Sequence, residues 1–97
     1  MYFAVHRVRG PAWDASRPMR EQALWREHAD FMNGLVAAGF VVLGGPLGGG
    51  AEVLLVIESS SAEAVRARLG EDPWSERGLL EVTRVEPWTI LLDGRSV

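Results

Sequence analysis

The chain has 97 residues, 47% of them apolar and 24% charged, a make-up that fits one globular unit and excludes an intrinsically disordered segment. Its formal charge is −3 and its ten basic residues are all Arg, with no dense cationic stripe to neutralise phosphates, so nucleic acid is not an expected partner. Cysteine is absent, which excludes disulfides, thiol nucleophiles and cysteine-held zinc; with no export-like start and no apolar run long enough to span a bilayer, a cytoplasmic setting away from membranes is expected.

Tyr2 to Val8 is short, aromatic and β-branched, and it ends at Gly10-Pro11, which predicts a first strand leaving into a turn. After a polar stretch, Leu24, His28, Phe31, Met32, Leu35 and Val36 recur at helical spacing until Gly39, so a helix is predicted from about Met19 to Ala38. Phe40 to Leu43 reads as a second strand. Gly44 to Gly50 is so rich in glycine that it is expected to be a loop, and Val53 to Ile57 is a third strand. Ser60 with Glu63 predicts a capping box opening a short second helix that Gly70 closes. Leu79 to Val85 alternates as a fourth strand, Pro87 interrupts it, and Trp88 to Leu92 forms an apolar tail that resumes an extended path.

This order is βαββαβ, and residues 1–97 are expected to form a single domain. Right-handed crossovers then give an α+β, ferredoxin-like fold: a four-stranded antiparallel sheet with both helices on one face. Two helices cover one face, yet strands two and three are continuously apolar, leaving roughly 300 Å² of flat sheet that also wants cover. A homodimer packing sheet on sheet is the expected solution, with the Trp88–Leu92 tail as the natural element to reach across the partner.

His28 follows Leu24 by four and precedes Phe31 by three, which places an imidazole on the apolar, sheet-facing side of the first helix. Two accounts stand beside each other: a core-edge histidine satisfied by a carbonyl and water, or a general acid/base lining a pocket between helix and sheet. Asp72 is the candidate partner, because in this topology the crossover elements lie side by side. It is equally suited, with Pro73, to starting a turn. The glycine loop lacks a Walker lysine and precedes a strand where a helix N-terminus is needed, so it is no phosphate loop, though it can leave a pocket mouth open. His6 has no ligand spacing that predicts a metal site. Of the four tryptophans, Trp74 lies nearest the candidate acid in sequence and is the one expected beside a ligand.

An opening strand, His28 within a helix, Gly39-Phe40-Val41-Val42-Leu43-Gly44-Gly45-Pro46-Leu47, Asp72-Pro73-Trp74 and Val85-Glu86-Pro87-Trp88 together resemble the YciI-like family, the YCII-related domain. The resemblance implies a dimeric α/β barrel with a His–Asp pair in its pocket, falling on His28 and Asp72. Where similar sequences often carry an arginine three residues before the histidine, this one has Trp25. One branch of the family acts as a dehydrochlorinase on a chlorinated hydroxyquinol without a cofactor. The residues and the resemblance together lead to the expectation of a cofactor-free lyase- or isomerase-type enzyme for a small cyclic or aromatic molecule, with His28 moving a proton, Asp72 orienting and polarising it, Gly45 and Pro46 shaping the pocket through backbone, and Trp74 stacking on the ligand. A non-catalytic small-molecule-binding dimer and a cofactor-free monooxygenase-like barrel are the alternatives.

Overall fold

The computed structural model describes residues 1–95. Four strands, β1 (Tyr2–Arg9), β2 (Val41–Leu47), β3 (Glu52–Glu58) and β4 (Leu80–Pro87), form one antiparallel sheet in the order β2-β3-β1-β4. The helices are α1 (Trp25–Ala37), α2 (Ala62–Leu69) and a short α3 (Pro73–Glu76). This is the ferredoxin-like α+β arrangement, with α3 added between α2 and the last strand.

Strand alternation sets the core. Phe3 and Val5 of β1 pair with Ile57 and Leu55 of β3, and these side chains meet Leu35 of α1 and Val65 and Leu69 of α2 in one buried cluster. A second cluster joins Trp74 of α3 to Leu79 and Leu80, with Trp13, Leu24 and Trp25 packed on it. The opposite sheet face carries Ala4, Val8, Leu54, Val56, Leu43 and Leu47 by the same register, with Arg84 and Glu86 of β4 at one side. Leu43 and Leu47 of that face are exposed.

Four local expectations are corrected. Gly44 to Leu47 is strand, not loop: Gly44, Gly45, Pro46 and Leu47 pair with Leu55, Leu54, Val53 and Glu52, and the turn is confined to Gly48–Ala51. Because β2 is an edge strand, Pro46 can lie in it without breaking an interior ladder. At Gly44 the missing side chain matters, since a Cβ would stand 2.4 Å from Leu55 Cδ2. The first helix starts at Trp25 instead of Met19. Before it lie a single 3-10 turn at Met19–Glu21, an extended Gln22 and a left-handed Leu24 with φ of 59°. Gln22 causes the delay: its buried side-chain amide donates to the carbonyls of Asp14 and Arg17 and accepts from Asp14 N–H, so the backbone there serves a loop. The α2 cap is Ser61, whose Oγ accepts from Ala64 N–H, so the capping pattern at Ser60 and Glu63 is offset by one residue. Finally, Pro87 ends β4 as its last residue, and after the Trp88 N–H bond to Tyr2 O the described tail has no strand.

Candidate functional site

The site grows from three elements that converge at one end of the helix-covered face. β1 supplies Arg7, two residues after Val5 and so on the core side of the sheet; α1 supplies His28 from its first turns; the start of α3 supplies Asp72. A guanidinium on an inward strand position survives because a carboxylate meets it: Arg7 Nη1 lies 3.0 Å from Asp72 Oδ2, with Arg7 1% exposed and Asp72 fully buried. Arg7 Nη2 donates to Ser75 Oγ at 2.7 Å, and Arg7 Nε is buried without a hydrogen-bond partner.

Asp72 opens a helix where the sequence suggested a turn, and it also meets His28. It caps α3, Oδ1 accepting from Trp74 N–H at 3.0 Å, with Pro73 suited to the first helical position. It also accepts from His28 Nδ1, at 2.9 Å to Oδ1 and 2.8 Å to Oδ2. Burial by itself pushes the Asp72 carboxyl up. The hydrogen bonds from His28 and Trp74 N–H, together with the charges of His28 and Arg7, outweigh it and hold the acid below its usual range. Burial likewise pulls the Arg7 guanidinium down against the pull of Asp72. An ionised Asp72 has no proton to give, so His28 Nδ1 carries the hydrogen of this bond, and Nε2 is the nitrogen left for other partners.

The imidazole is clamped from the side as well. Its ring lies face to face with Trp74, centroids 3.8 Å apart and planes 8° from parallel, and Trp74 is itself fixed by Nε1 donating to Ala23 O at 2.6 Å. Trp13 meets Trp74 edge-on at 5.4 Å, and Trp25 lies 5.9 Å from His28. With side-chain exposure of 12%, His28 forms part of the wall of a cavity of about 610 Å³ between α1 and the β2–β3 side of the sheet. Gly45 and Pro46 line the same cavity from β2 and Trp74 from α3, while Asp72 lies behind His28, bonded to its ring. Trp74 has the histidine ring as its stacking partner.

The sequence reading missed Arg7, although the signal was present: Phe3, Val5 and Arg7 alternate on one face, and the third is charged. His6 is on the other sheet face, with Nδ1 3.2 Å from Glu52 Oε1, so the two histidines do not meet. Among the described residues no group of three or more His, Cys, Asp or Glu could hold a metal ion, and no helix is long and apolar enough to cross a membrane.

Comparison with known proteins bears on the family and the fold. The YCII-related domain matches residues 1–89. A solved structure of 5-chloro-2-hydroxyhydroquinone dehydrochlorinase (TftG) from Burkholderia phenoliruptrix AC1100, in complex with 2,5-dihydroxybenzoquinone, superposes with a TM-score of 0.62 at 26% identity, over 92% of this chain and 94% of that one. No curated protein sequence matches the chain.

Proposed function

Because the chain belongs to the YCII-related domain family, we propose that it is a lyase- or isomerase-type enzyme that works without a cofactor on a small cyclic or aromatic molecule, using His28 as its acid–base group. One observation carries the reading: an imidazole whose Nδ1 is held by a buried, ionised Asp72 stands in the wall of a largely apolar cavity sized for a ring. The dehydrochlorinase likeness supports the same reaction class, since that protein is captured with a quinone.

In an elimination, His28 Nε2 takes a proton from the bound ring or its hydroxyl, the electron pair moves into the ring, and the leaving group departs with the electrons of its bond. In an isomerisation the same nitrogen returns the proton to a different ring atom. Asp72 stabilises the imidazolium that forms in either case, and Arg7 compensates the buried carboxylate in the resting state. A second copy of the chain packed against the outward sheet face completes the assembly in this proposal, covering Leu43 and Leu47.

The test is turnover of a panel of halogenated hydroquinones and related cyclic enols, followed by product absorbance and halide release. Binding is followed with 2,5-dihydroxybenzoquinone as probe. His28→Ala is expected to fold with an unchanged circular dichroism spectrum, to bind the probe, and to lose about 10²–10⁴ in kcat. A panel that binds but is not turned over by the wild-type protein makes the chain a binding module and refutes the enzymatic reading.

A further inference from the structure

Arg9 is the next inward position of β1 after Arg7, and it differs from Arg7 in having no carboxylate. Among the described residues it makes no ion pair, whereas Arg7 has its charge answered by Asp72. It is nevertheless held. Its guanidinium carbon lies 4.7 Å from the centroid of the Trp13 ring, and its Nη2 is close enough to Gly50 that a Cβ there would approach to 3.2 Å. Gly50 has φ of +89°, so the turn between β2 and β3 both requires glycine and leaves room for this group. A guanidinium held over an aromatic ring can still offer N–H groups to a carboxylate or other oxyanion.

This exposed cation lines the cavity that His28 lines, and no Asp or Glu lines that cavity. The rest of the lining is mostly apolar and aromatic, including Trp13, Trp25 and Met32. A flat apolar body with one ionised oxygen satisfies both features. A neutral ring leaves Arg9 without a partner, and a cation meets repulsion.

We propose that the cavity selects a planar ring bearing an ionised oxygen, a phenolate, an enolate or a ring carboxylate, and that Arg9 is the specificity-determining residue that takes this oxygen. The assignment rests on the reading of the cavity as the ligand site. It adds the charge of the ligand and the residue that reads it. The strand fixes where the anion sits: Arg7 and Arg9 are two positions apart on one face, about 7 Å along β1, so the anchored oxygen lies at the rim while the ring extends inward toward His28.

The experiment is a titration, followed by tryptophan fluorescence and calorimetry, with 2,5-dihydroxybenzoquinone, which is anionic at neutral pH, and with its neutral dimethyl ether, 2,5-dimethoxybenzoquinone. Wild-type protein is expected to prefer the anion by about tenfold or more, with the preference shrinking as NaCl is raised. Arg9→Gln should abolish the preference while leaving the neutral ether unchanged, Arg9→Glu should reverse it, and His28→Ala should retain it. Arg9 is exposed, so its variants are expected to keep the wild-type spectrum and melting temperature. A preference that survives intact in Arg9→Gln overturns the assignment and leaves the ligand cavity standing. Failure of the wild-type protein to bind either compound overturns the cavity reading and the assignment with it.

Discussion

Asp72 is the residue on which the site turns, because it accepts from His28 and from Trp74 N–H and forms an ion pair with Arg7 while being wholly buried. Asp72→Asn therefore does more than weaken the hold on His28: it leaves a guanidinium uncompensated in the core. It is expected to cost about 3–5 kcal/mol, a fall in Tm of at least about 10 °C for a chain of this size. Arg7→Met should cost a comparable amount, and the double variant should be less unstable than the sum of the two, a coupling that a double-mutant cycle in urea reads directly. Asp72 also fixes a pH dependence. Its carboxyl is held lower in the folded chain than in the unfolded one, so its contribution is complete above the usual carboxylate value of about 3.9 and is lost as pH falls through the lower folded value. The urea midpoint should thus drop below about pH 4 in the wild type, with a shallower drop in Asp72→Asn. His28 and Asp72 were both legible as single residues, from helical spacing and from the Asp-Pro pair. Their contact across 44 positions was legible only through the topology, and Arg7 required reading strand alternation against charge.

At the scale of elements, β2 shows why glycine content is a poor guide where a neighbouring strand supplies the order. Gly44 and Gly45 lack side chains for different reasons. Gly44 faces Leu55, where a Cβ would collide, while at Gly45 nothing lies within 4 Å of an added Cβ. Gly44→Ala is expected to destabilise by about 1–3 kcal/mol through overpacking, and Gly45→Ala to remain within about 0.5 kcal/mol of wild type; chemical denaturation of the two variants side by side checks the contrast. The order of strands and helices followed from periodicity, which reports burial of whole faces. The start of α1 did not, because Gln22 redirects the backbone through hydrogen bonds to Asp14 and Arg17 that no local pattern announces.

For the whole molecule, the two sheet faces differ sharply. One is closed by α1 and α2; the other shows Leu43 and Leu47 at 49% and 42% exposure, and the tail beyond β4 carries Leu91 and Leu92 almost fully exposed. A monomer leaves this apolar surface in water, whereas a two-fold pair of sheets removes it. Light scattering on a sizing column at micromolar concentration should accordingly give twice the chain mass of 10.6 kDa. The Leu43→Glu, Leu47→Lys double variant should shift toward the single-chain mass while keeping the wild-type circular dichroism spectrum. A wild-type protein that elutes at 10.6 kDa contradicts the assembly. The central claim is more local: His28 gives Nδ1–H to Asp72 and keeps Nε2 for whatever enters the cavity. Long-range proton–nitrogen correlation spectra of the neutral imidazole, recorded with and without the quinone probe, measure it most directly. The account predicts a protonated Nδ1 throughout and an Nε2 resonance that moves when the probe binds. A proton on Nε2, or an Nε2 signal indifferent to a bound probe, would contradict it.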